Sequence, residues 1–108
     1  MNVLAKNELD AICELKNSID KHYRFFWMKL FGSKARGDAN KESDVDVCIV
    51  LEETNWKIER EIYELCFEIG LKYDILLSPV VFSKDEISNR LTMVTPFYRV
   101  MEREGIAI

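Results

Sequence analysis

The amino-acid sequence predicts an α+β protein, a small β-sheet flanked by helices. Three observations lead there. Residues 5–22 and 55–70 carry apolar side chains at helical spacing. Two apolar segments, Tyr23–Phe31 and Asp44–Leu51, have the length and content of buried strands. The 108 residues suffice for one compact domain, and 48 % hydrophobic with 31 % charged residues argues against disorder.

In the first helix Leu9, Ile12, Cys13 and Ile19 fall near one face, with Lys, Glu and Asp elsewhere. "YRFFWMKLF", Tyr23 to Phe31, is apolar on both sides and fits a central strand. Gly32 ends it, and a polar segment runs to Ser43. From Asp44 the sides alternate: Val45, Val47, Ile49 and Leu51 form a wholly apolar face. The other face begins with Asp44 and Asp46 and turns apolar at Cys48 and Val50.

Ile58, Ile62, Leu65, Cys66 and Ile69 give the second helix its core stripe, with Gly70 as the expected C-terminal cap. Trp56, Tyr63 and Phe67 form a neighbouring stripe that fits either wide core contact or a partner surface. "KYDILLSPVVF" reads as a third strand broken by Pro79, which cannot donate to a central ladder. "SKDE", Ser83 to Glu86, is a capping box opening a short helix. "TPFYRVMEREG" supplies Thr95 as N-cap, Pro96 at the first helical position and Gly105 past the end.

Composition narrows the function. No apolar run reaches the length of a membrane span, and the N-terminus is charged rather than signal-like, so a cytoplasmic protein without membrane contact is expected. A net charge of −4, with no Lys/Arg cluster, argues against long nucleic acid as a direct ligand. Cys13, Cys48 and Cys66 form no C-x-x-C pair and read as buried free thiols. His22, the single histidine, suits a helix end.

The chemistry centres on "FGSKARGDANKESDVDV", residues 31–47. Side chains two apart on a strand share a face at a little under ~7 Å, so the carboxylates of Asp44 and Asp46 can converge. At about 4 Å and an effective dielectric near 20, two like charges repel by about 4 kcal/mol. Protonation, water or a bound cation must relieve this, and carboxylate oxygens suit Mg²⁺. Upstream, Gly32 permits a sharp turn. Ser33 can cap the helical turn of "KAR" and present N–H groups and a hydroxyl to an anion. Lys34 and Arg36 add positive charge beside it.

Gly32-Ser33, ten residues from Lys34 to Ser43, then Asp44-Val45-Asp46: this spacing resembles the nucleotidyltransferase superfamily related to DNA polymerase beta. The flanks "GSKARGDA" and "SDVDVCIVL", and the tail "PFYRVMEREGIAI", are similar to its small stand-alone members, the minimal nucleotidyltransferase (MNT) proteins. The resemblance covers most of the chain and implies one domain over residues 1–108, with a small mixed sheet in the polymerase beta-like fold. It also implies a third carboxylate on the strand after the long helix, where Asp74 is the one acidic residue that fits. Asp44, Asp46 and Asp74 would then hold Mg²⁺, two ions in all, and carry catalysis with ATP as donor. Gly32 and Ser33 would cradle the phosphates and Arg36 would neutralise charge there. Ser43 would fix the Asp44 carboxylate or serve as an ordinary loop serine.

MNT proteins are commonly paired with HEPN-domain RNase toxins and act as antitoxins by adding AMP to a toxin tyrosine. The resemblance therefore implies a HEPN toxin partner in a hetero-oligomer. A binding-only antitoxin and a small-molecule nucleotidyltransferase are the alternatives.

Overall fold

The computed structural model describes residues 4–37 and 44–108. The sheet has the order β3-β2-β1-β4. Its two long central strands are β1 (Phe25–Phe31) and β2 (Val45–Leu51), paired antiparallel with Phe31 opposite Asp46. β3 (Leu77–Ser83) runs parallel to β2 and pairs Val45 with Leu77 and Asp46 with Ser78. A two-residue β4 (Ile106–Ala107) closes the other side against Lys29 and Leu30 of β1. The sheet is thus mixed, in an α+β architecture.

Alternation along β2 sorts the core into two layers, as its sequence predicts. Val45, Val47, Ile49 and Leu51 pack beneath α1 (Lys6–His22) and α3 (Trp56–Tyr73), against Ile12, Leu15, Ile62 and Ile69. Cys48 and Val50 face the opposite way, toward Ile87 of α4 (Lys84–Ile87) and Met101 of α6 (Pro96–Glu104). Phe31, Phe82 and Phe97 complete that second layer, with Phe97 edge-on to Phe31 at 5.2 Å between ring centroids. Asp46 belongs to this second face, two residues before Cys48. Between α4 and α6 lies α5 (Arg90–Met93), a single turn.

The local signals at the C-terminal helices hold. Ser83 accepts from the Glu86 amide while Glu86 accepts from the Ser83 amide, forming the expected capping box. Thr95 caps α6, with Pro96 in its first turn and Gly105 beyond its end. His22 sits in the last turn of α1, its Nδ1 2.8 Å from the Ser18 carbonyl.

Several expectations are corrected. In α1 the core face is Ala11, Ile12, Leu15 and Ile19; Leu9 and Cys13 are exposed, because both project to one side of the buried stripe. Only Cys48 and Cys66 are buried thiols, and burial pushes each up to about 12. The stripe of Trp56 and Phe67 is not core: they are 75 % and 66 % exposed, with Leu71 and Leu76 beside them.

The long helix does not stop at Gly70 but continues to Tyr73. Gly70 serves a tertiary purpose instead: a Cβ there would lie 2.7 Å from the Ile75 carbonyl oxygen. The chain leaving the helix folds back over Gly70, and the Ile75 amide donates to its carbonyl at 3.0 Å. Asp74 is the residue that ends the helix, in the left-handed conformation at φ 56° and ψ 48°. Aspartate tolerates that region better than most side chains.

Candidate active site

The site is built where β1 ends and β2 begins. After Phe31 the chain turns at Gly32, which takes φ 76° and ψ −157°, a backbone conformation nearly confined to glycine. Gly32, not Ser33, is the N-cap of α2 (Ser33–Arg36), so Ser33 is the first helical residue. The absent side chain matters for packing as well. A Cβ on Gly32 would collide with Oδ2 of Asp46, so the carboxylate lies directly against the turn. The Gly-Ser pair and the Asp-x-Asp pair, ten residues apart in sequence, meet here.

Among the described residues two ion pairs hold α2. Lys34 turns inward, away from the role of a surface cation: its Nζ meets Glu8 of α1 at 2.6 Å with both side chains 6 % exposed. Glu8 also accepts from the Ala5 amide at 2.7 Å. Removing one partner of a pair this buried typically costs roughly 3–5 kcal/mol, since it strands the other charge. Arg36 reaches Glu104 of α6, Nη1 to Oε2 at 3.0 Å. α2 is therefore tied to α1 on one side and α6 on the other.

Asp46 is half-buried, and its carboxyl is held above the usual carboxylate range. Burial is the main cause, the charge of Asp44 adds to it, and Arg36 partly offsets both. The two carboxylates thus interact through space, as their spacing predicts. From β3, the Ser78 hydroxyl donates to Oδ2 of Asp44 at a long 3.4 Å. Ser78 is also the residue paired with Asp46 in the parallel ladder.

Asp74 does not join them. It stands exposed at the end of α3, four residues before Ser78 and outside the strand, because α3 runs through the segment expected to be extended. Among the described residues no group of three or more His, Cys, Asp or Glu side chains is placed to hold a metal ion. Ser43 lies outside the described residues. Sequence reasoning passed over Ser78. The signal that could have found it is Pro79, which marks an edge strand centred later than "KYDILL".

Whether a divalent cation fits can be judged from the donors. Asp44 and Asp46, two apart at the start of β2, offer hard carboxylate oxygens beside the Gly32 turn, the donor chemistry a divalent cation takes. Asp44 and Asp46 are the described residues that would hold such an ion.

A family model for the nucleotidyltransferase domain matches residues 12–103. The chain belongs to the nucleotidyltransferase family. A relative from Methanocaldococcus jannaschii, named as a candidate protein adenylyltransferase, is 33 % identical over 109 residues, spanning 100 % of this chain and 97 % of its own. A second protein from that organism, named in the same way, is 34 % identical over 92 % of this chain and 95 % of its own. Among solved structures, one described as a toxin–antitoxin with AMP-PNP superposes with a TM-score of 0.64 at 19 % identity, over 95 % of this chain and 72 % of that one. Another, described as a candidate minimal nucleotidyltransferase, gives 0.59 at 22 % identity over 100 % and 97 %. These two likenesses are of fold. In this nucleotidyltransferase the Gly32-Ser33 turn lies against the Asp46 carboxylate.

Proposed function

We propose that this nucleotidyltransferase, acting as one domain over residues 1–108, transfers AMP from ATP to a hydroxyl of a partner protein. The acceptor we favour is a tyrosine of a HEPN-type RNase toxin, which makes the chain its antitoxin. The observation that carries the reading is the seating of Asp46 against Gly32, which makes one site of a phosphate-binding turn and a cation-binding pair. The names of the Methanocaldococcus relatives support protein adenylylation, and the toxin–antitoxin structure with AMP-PNP supports nucleotide and partner.

In this reading Ser33, with the backbone N–H groups following Gly32, receives the β- and γ-phosphates. Arg36, anchored on Glu104, adds positive potential beside them. Asp44 and Asp46 hold Mg²⁺, which when bound supplies charge neutralisation at the α-phosphate. The acceptor oxygen bonds to the α-phosphorus, the bond to pyrophosphate breaks, and the hydroxyl proton passes to water.

A second reading is favoured by one observation, the placement of Asp74 away from the pair. The chain would then neutralise its toxin by binding alone. Incubation with ATP, Mg²⁺ and the partner, followed by intact-mass spectrometry, separates the two. The enzyme adds the mass of adenylate, and Asp46→Asn adds none. A wild type that leaves the partner's mass unchanged while still blocking it leaves binding as the function.

A further inference from the structure

We infer that the open face of α3 is a self-association surface, on which a second copy of this chain packs antiparallel about a two-fold axis at Tyr63. This surface is independent of the nucleotide chemistry. Trp56, Tyr63, Phe67 and Leu71 lie within an arc of about 80° on α3, and exposed Leu76 continues the band beyond the helix end. For side chains of this size and exposure, the band leaves roughly 700 Å² open to solvent. That exceeds the ~300–600 Å² of the largest patch on a typical monomer and approaches the ~800 Å² each partner gives to a standard interface.

The shape of the band says what covers it. At its amino-terminal end stands a knob, Trp56, the first residue of the helix and 75 % exposed. At its carboxy-terminal end lies a hole, an apolar groove of about 230 Å³. Phe67, Gly70 and Leu71 of α3 form one wall, and Ile75, Leu76 and Pro79 of the returning chain form the other. Tyr63 is seven residues from Trp56 and seven from Gly70. A two-fold there carries each Trp56 into the other copy's groove, roughly 21 Å away along the helix. One operation fills both holes, and the contact closes on itself. Charge follows the same axis. On the shoulder away from the groove, Lys57 and Arg60 occupy the amino-terminal half, and Glu64 and Glu68 the carboxy-terminal half. Their neighbour Glu61 is turned to Tyr23, and Lys72 to Glu14. Antiparallel pairing sets Lys57 beside the second copy's Glu68, whereas a parallel pair would oppose like charges.

The test is sedimentation equilibrium of the full chain at concentrations up to about 200 µM. Wild type shows a monomer–dimer equilibrium. Trp56→Ala and Phe67→Arg each weaken it at least about 30-fold, because every substitution enters the interface twice. Lys57→Glu weakens it several-fold, and adding Glu68→Lys restores it. In a Cys13→Ser background, a short bismaleimide joins Tyr63→Cys to its own copy. It leaves Leu91→Cys, exposed on α5 outside the band, uncrosslinked. Below the dissociation constant the chain is single, and there the variants unfold in urea as wild type does, since these side chains are exposed. A wild type that stays single at the top of the range overturns the inference. So does a dimer that either Trp56→Ala or Phe67→Arg leaves at wild-type affinity, or one that crosslinks at Leu91→Cys and not at Tyr63→Cys. If Phe67→Arg does not fold, Trp56→Ala and the crosslink decide. Every one of these outcomes leaves the proposed AMP transfer as it stands.

Discussion

At the scale of single residues, Gly32 is the hinge of the site. It occupies a conformation that a side chain strains by roughly 1–3 kcal/mol, and a Cβ there would push into the Asp46 carboxylate. Gly32→Ala is expected to lower stability by that amount and to slow AMP transfer by about 100-fold, since a displacement near 1 Å suffices for such a loss. Thermal unfolding and the partner-mass assay check the two effects separately. Asp44 stands outside that turn, so Asp44→Ala should lose activity without the stability deficit. The meeting of Gly32 with Asp46 was legible because their motif is local and its spacing is distinctive. Ser78 and Asp74 were not legible in the same way. Which β3 residue stands level with Asp46 depends on parallel register, and Pro79 marks an edge strand without stating that register.

At the scale of elements, the helix lengths and their mutual clamps position the strands. α1 and α3 are tied by Glu14, which accepts from Lys72 at 2.6 Å and from the Tyr73 hydroxyl at 2.9 Å. Those two bonds hold the Glu14 carboxyl below its ordinary value of 4.5, the Lys72 bond contributing most. A carboxylate depressed in the folded state stabilises it above the unfolded value, and that contribution fades as pH falls through the lowered one. The stability gap between wild type and Glu14→Gln should be full above about pH 4.5 and close progressively below it, as pH-dependent chemical denaturation would read. A gap unchanged down to pH 3 would detach Glu14 from the clamp. The extent of α3 was the element least visible in sequence. Gly70 signals a helix end locally, yet it is required by the return of Ile75 across the helix, a tertiary contact that propensity does not encode. The strand β2 was the most visible, since its alternation and its two-faced burial agree.

At the scale of the whole molecule, α3 divides its apolar residues between the core and an open face. Ile62 and Ile69 are buried, while Trp56, Phe67 and Leu71 stand in solvent. Ile62→Ala should cost about 2–5 kcal/mol and Phe67→Ser less than about 0.5 kcal/mol in urea unfolding. Equal costs would mean that the open stripe contributes to the fold after all. No helix is long and apolar enough to cross a membrane among the described residues. The sheet faces a different hazard at its borders, where unpaired backbone invites another chain to add a strand. One border strand, β3, carries Pro79, which lacks an N–H to offer an incoming strand. The other, β4, is two residues long and gives such a strand little to match. A chain with 48 % hydrophobic residues thus carries built-in protection against open-ended fibril growth, and Pro79 guards the border next to Ser78.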